Sequence, residues 1–85
     1  MNFDQAVAYV NSNKKLSESL TEEEILDLYG LYKQATIGDN TNPQPGMFDF
    51  RGNRKWNAWN ERRGIKMNVA KELYAKRVNA LKFAL

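Results

Sequence analysis

Residues 38–46 read Gly38-Asp39-Asn40-Thr41-Asn42-Pro43-Gln44-Pro45-Gly46, and this one segment holds both prolines of the sequence. Proline lacks the N–H that a helix interior or a central strand requires, and glycine is entropically costly in either. No regular element crosses such a stretch, so the chain is two periodic arms joined by a long loop. On both arms apolar residues recur at spacings of three and four, and no run alternates as a half-buried strand does. The implied fold class is all-α. At 85 residues the chain suits a single domain, 1–85, with a thin core.

On the first arm, Phe3, Ala6, Val7 and Val10 mark one face of a helix over about residues 3 to 13, with Asp4 in the first turn where it suits the helix dipole. Residues 11–19 are polar and poor in helix formers, and read as a loop. Thr21-Glu22-Glu23-Glu24 is a capping box that starts a second helix, about 21 to 37. Its stripe is Ile25, Leu28, Tyr29, Tyr32 and Ala35, and Gly38 offers the left-handed residue that ends it. Residues 47–50 carry Phe48 and Phe50, which are unusual in solvent, so this end of the loop is expected to fold back onto the bundle. A short third helix over 51–63 places Trp56 and Trp59 on one face before Gly64. A fourth, about 67 to 84, aligns Ala70, Leu73, Tyr74, Val78, Leu81 and Leu85. The expected architecture is a four-helix bundle with one long connection between its second and third helices.

Cysteine and histidine are both absent. That removes disulfides, a thiolate nucleophile, the commonest metal ligand and the commonest general base, and argues against an enzyme and against a metal site. The opening Met1-Asn2-Phe3-Asp4-Gln5 lacks the basic start and apolar run of a secretory signal, which predicts a cytoplasmic protein. No apolar run reaches the ~20 residues that span a bilayer, so no stable membrane insertion is expected. A formal charge of +3 permits anionic partners of several kinds and selects none.

Two groups of residues exceed what a bare bundle needs. Tyr29, Tyr32 and Lys33 lie within about one helical turn and join aromatic faces to a cation. Arg51, Arg54 and Lys55 open the third helix beside Trp56, where backbone N–H groups add positive potential. If the two helices adjoin, a base stacks on tyrosine while a cation holds a phosphate. Taken singly, each residue has a plainer reading. Tyr9 and Tyr32 suit core positions with a wet hydroxyl, Trp56 and Trp59 suit core anchors, and Lys33 or Lys55 alone is a solvated charge.

In combination and order, these residues resemble the acyl-CoA-binding protein family. Leu28-Tyr29-Gly30-Leu31-Tyr32-Lys33-Gln34-Ala35-Thr36-Ile37-Gly38-Asp39 is similar to the family's second-helix signature. It is followed at the family's spacing by Pro45-Gly46-Met47-Phe48-Asp49-Phe50-Arg51-Gly52 and Lys55-Trp56-Asn57-Ala58-Trp59. The resemblance implies a four-helix fold holding one acyl-CoA in a surface bowl. It places Tyr29, Lys33 and Lys55 at the adenosine 3′-phosphate and Tyr32, Arg51 and Tyr74 along the nucleotide and chain site. Arg51 stands for the usual lysine, keeping charge but changing hydrogen-bond geometry. Asn11 falls where a ligand-contacting lysine is usual, with Lys14 or Lys15 able to compensate. Lys66 replaces the usual serine cap of the last helix, and Asn68 offers a later cap.

The resulting expectation is a monomeric carrier and pool former for medium- and long-chain fatty acyl-CoA, with no cofactor and no nucleic-acid partner. Three other classes compete. A nucleic-acid-binding domain fits the basic pI, yet ten acidic residues are mixed with the cations and no single basic recognition helix emerges. An acyl-CoA hydrolase lacks a supported nucleophile and base. A plain protein-interaction bundle predicts no saturable ligand.

Overall fold

The computed structural model describes residues 1–84 and, among these, contains helices and no strand. Five helices follow in order: α1 (Phe3–Ser12), α2 (Lys14–Ser19), α3 (Glu22–Thr36), α4 (Phe50–Asn60) and α5 (Met67–Ala84). Four of them match the expected helices to within a few residues. The fifth, α2, corrects the loop expected over 11–19. Asn13 both ends α1, its N–H donating to Tyr9 O (3.0 Å), and caps α2, its side chain accepting from Leu16 N (3.0 Å). Leu16, 1 % exposed, fixes that turn to the bundle, so one buried apolar residue compensates for a polar composition that by itself favours a loop.

The capping box is present as expected. Glu24 N donates to Thr21 Oγ1 (3.1 Å) and Thr21 N to Glu24 Oε1 (2.9 Å). Asn2 and Gln5 form the same reciprocal pair at the start of α1. Gly38 and Gly64 hold φ of 97° and 89°, the left-handed region that reverses the chain after α3 and before α5. Because α5 begins at Met67, Asn68 lies inside its first turn and does not cap it.

Helix α3 is central and packs against both α4 and α5, while α1 lies on α5. The core joins Ala6, Leu28, Leu31, Tyr74, Ala75 and Val78. Leu85 of the expected last stripe falls outside the described residues. On α3 the buried residues are Leu28, Gly30, Leu31, Gln34 and Ala35, whereas Ile25 (48 %) and Tyr32 (40 %) of the expected stripe are exposed. Its buried face is thus rotated from the stripe read in the sequence, and the remaining apolar face is left open.

Polar ties complete the frame. Asp27 on α3 pairs with Arg62 and with Arg77 on α5 (3.5 Å). Buried Gln34 donates to Ile65 O (2.8 Å) and Asp39 Oδ1 (2.9 Å), and Asp39 also accepts from Gly64 N (2.8 Å). The Gly64 N–H and then the Gln34 amide hold the Asp39 carboxyl below its ordinary range against the opposing effect of burial, with Arg63 adding a lesser push downward. The long loop is anchored, but not by the apolar side chains of Met47, Phe48 and Phe50. Trp59 Nε1 donates to Gly38 O (2.8 Å) and Trp56 Nε1 to Asn42 O (2.9 Å). Met47, Phe48 and Phe50 point to solvent. Two indole N–H groups and the buried Asn40, which accepts from Asn42 N (2.9 Å), tie the loop backbone down without burying the phenylalanines.

Candidate functional site

The open apolar face of α3 is one wall of a hollow of about 470 Å³. Val7, Val10 and Asn11 of α1 form a second wall, Ser17 of α2 and Leu20 a third, and Tyr74 of α5 reaches its floor. A neighbouring hollow of about 520 Å³ lies between α3 and α4, bordered by Glu22, Ile25, Leu26 and Tyr29 on one side and Arg51, Arg54 and Lys55 on the other. Ile25 and Tyr29 line both. The two hollows therefore form one trough, greasy at one end and cationic at the other.

Tyr29 is the hinge of the arrangement because one ring receives cations from two helices. Lys33 Nζ, one turn along α3, stands 5.8 Å from its centroid, and Lys55 Nζ of α4 stands 4.8 Å away. Lys33 also lies 5.4 Å from the Trp59 ring. Each such contact contributes about 0.5–1 kcal/mol at an exposed site. Among the described residues neither lysine, nor Arg51, has a carboxylate within 4.0 Å, whereas Arg54 is paired with Glu22 at 2.9 Å. An anion bound beside the Tyr29 ring would meet unpaired cations from both helices. The start of α4 contributes less positive potential than its position suggests, because the Asp49 carboxylate already accepts the Gly52 N–H (2.9 Å).

These helices meet closely because position 30 is glycine. A Cβ there would collide with the carbonyl oxygen of Ala58 and lie 2.8 Å from its carbonyl carbon. No larger residue allows Tyr29 and Lys55 to approach in this way.

At the apolar end, Phe3, Tyr32 and Tyr74 cluster, with Phe3 centroids 6.1 Å and 5.3 Å from the two tyrosines and Tyr32 6.3 Å from Tyr74. Tyr74 is 4 % exposed, and burial, then the adjacent Tyr32, pushes its phenol above the ordinary value. Its role is that of a floor. Tyr9 packs half-buried against the core under Lys82, as its plainer reading implies.

Of the expected site residues, Tyr29, Tyr32, Tyr74 and Asn11 line the apolar hollow, and Arg51 and Lys55 the cationic one, with Tyr29 common to both. Lys33 lines neither hollow and is tied to the group only by its approach to the Tyr29 ring. Lys14 and Lys15 line neither hollow, and Lys14 is 3.9 Å from Glu18. The trough also uses Ile25, expected in the core stripe, Ser17, expected in a loop, and Leu20, which the periodicity assigns to no element. The Asn13-x-x-Leu16 cap was the available signal for the α2 wall.

A family model described as Acyl CoA binding protein matches residues 1–78. The chain is 44 % identical over 81 residues to Acyl-CoA-binding protein homolog 1 of Caenorhabditis elegans, spanning 95 % of this chain and 91 % of that one. The crystal structure of acyl-CoA-binding protein 2 of Oryza sativa superimposes with a TM-score of 0.88 at 32 % identity, over 96 % of this chain and 88 % of that chain. The solution structure of the acyl-CoA-binding protein of Babesia bovis gives 0.82 at 39 % identity, over 96 % and 91 %. With its fold, its trough and these likenesses in agreement, the chain belongs to the acyl-CoA-binding protein family.

Proposed function

We propose that residues 1–85 act as one monomeric acyl-CoA-binding domain that carries and pools medium- and long-chain fatty acyl-CoA in the cytosol without chemical change. Membership of a family of binding proteins supports the coarse part of this reading. Its strongest support is the single Tyr29 ring flanked by Lys33 and Lys55 from different helices, beside an apolar hollow. Lys33 and Lys55 hold the nucleotide phosphate, with Tyr29 between them. Arg51 extends the cationic wall. Tyr32 and Tyr74 pack the adenine and the neighbouring chain, and Val7, Val10, Leu20, Ile25 and Leu28 shield the acyl group. Asn11 presents a neutral amide to the same hollow. Among the described residues no group of three or more acidic, histidine or cysteine residues is placed to hold a metal, and no helix is long and apolar enough to cross a membrane.

Affinity and selectivity then have separate sources. Burying methylenes yields about 0.8 kcal/mol each, so a palmitoyl chain supplies roughly 10 kcal/mol before ordering costs. The charge-assisted phosphate contacts contribute about 1.5–3 kcal/mol each and are denied to a free fatty acid. Calorimetry with palmitoyl-CoA, CoA and palmitate tests this. Lys33→Ala and Lys55→Ala are each expected to weaken palmitoyl-CoA by about tenfold or more, while palmitate binds poorly throughout. Unchanged affinity in both variants overturns the assigned roles, and titration from octanoyl- to eicosanoyl-CoA reads the chain preference.

A further inference from the structure

Met47 (80 %), Phe48 (82 %) and Phe50 (67 %) are the most exposed large apolar side chains among the described residues. Their exposure is built into the loop. Asp49 N–H donates to Gly46 O (3.0 Å), which puts Met47 and Phe48 at the two central positions of a β-turn. Asn53 Nδ2 clamps that turn from α4, donating to Gly46 O (2.8 Å) and Asp49 O (2.9 Å). These bonds hold the turn against α4, so Met47 and Phe48 are displayed on a fixed projection.

The charge around the projection is positive. Arg51, Arg54 and Lys55 follow it directly; Glu22 pairs with Arg54 and Asp49 caps the first turn of α4, so three cations stand against two carboxylates and Arg51 and Lys55 have no carboxylate partner among the described residues. Arg54 borders both the hollow walled by Met47, Phe50 and Pro45 and the cationic end of the trough. We propose that this turn, with Phe50 and its flanking arginines, is a peripheral docking surface for an anionic phospholipid bilayer. Met47 and Phe48 enter the boundary between headgroups and acyl chains, while Arg51 and Lys55 lie at the level of the lipid phosphates. A two-residue tip is too narrow for the flat area of about 1,000 Å² that a stable protein interface needs, but it suits a surface that yields around it. Neither contribution alone suffices, so docking is reversible and requires both.

The same orientation turns the cationic mouth of the trough toward the lipid. Any consequence for ligand pick-up rests on the acyl-CoA reading above, whereas the docking itself does not.

Flotation of the ligand-free protein with phosphatidylcholine vesicles containing about 30 mol % phosphatidylserine, against phosphatidylcholine alone, measures the docking. The expected result is salt-sensitive partition onto the anionic vesicles alone, falling about tenfold in a Met47→Ser/Phe48→Ser double variant whose helicity and palmitoyl-CoA affinity are unchanged. In Phe48→Trp, the added emission is expected to shift blue and be quenched by brominated lipid. Equal partition of the wild type and the double variant overturns the proposal and leaves the turn to a protein partner. Equal partition onto neutral and anionic vesicles overturns it as well. Loss of palmitoyl-CoA binding with docking intact strikes only the acyl-CoA reading.

Discussion

Tyr74 sits at the junction of core and trough, and its phenol gives a direct readout of that position. Burial, and secondarily Tyr32, raises its folded-state pKa, so the folded protein retains the phenolic proton longer than the unfolded chain does. Below the unfolded value near 10 both states carry the proton and stability is unaffected. Above it the unfolded state ionises first, and stability falls as pH rises through the folded value. Urea midpoints of the ligand-free protein from about pH 9 to 11 are expected to decline less steeply in Tyr74→Phe than in the wild type. Parallel declines would show that Tyr74 is not desolvated as the fold implies. Residue types at this scale were readable in the sequence: Tyr29, Lys33, Lys55 and Tyr74 form a recognisable set. Which tyrosine is a floor and which a wall was not, because that depends on α1 and α3 packing over the Tyr74 ring while Tyr32 is left open.

At the scale of elements, α2 is the clearest case of a helix made by its caps and one contact. Six residues are too few to be helical in isolation. Asn13 supplies an acceptor to Leu16 N, and Leu16 supplies the burial. Asn13→Ala is expected to cost about 1 kcal/mol of stability in urea titration. It should also loosen Ser17 and Leu20, weakening palmitoyl-CoA more than octanoyl-CoA; equal weakening of both would mean that this wall does not meet the chain. The long helices were legible from their periodicity and the Thr21–Glu24 box. The short one was hidden by its polar composition. The face of α3 was also ambiguous, since its leucines and tyrosines supply two apolar stripes and only packing decides which is covered.

For the whole molecule, extents of 36 × 27 × 17 Å leave a thickness of less than two helix diameters. There is no deep interior to enclose a ligand, so a binding site must be a surface trough between helices. Its two ends are kept in register by the contact of α3 with α4 at Gly30. Gly30→Ala would gain helix propensity of about 1 kcal/mol, but the Cβ meets Ala58 backbone, which cannot rotate away. Net destabilisation of about 1–3 kcal/mol is expected by denaturation, together with weaker palmitoyl-CoA binding as Lys55 moves from Tyr29. A variant as stable as the wild type would show that the two helices can separate freely. The sequence alone determined the helical class, the break at 38–46 and the residue types available to the trough, because periodicity, proline and side-chain type act locally. Only tertiary structure decided that α3 leaves its Ile25–Tyr29–Tyr32 face open and that residues 47–50 project outward. Those outcomes depend on which neighbour arrives to cover a surface and on which backbone groups are already satisfied, and neither is encoded at the position it affects.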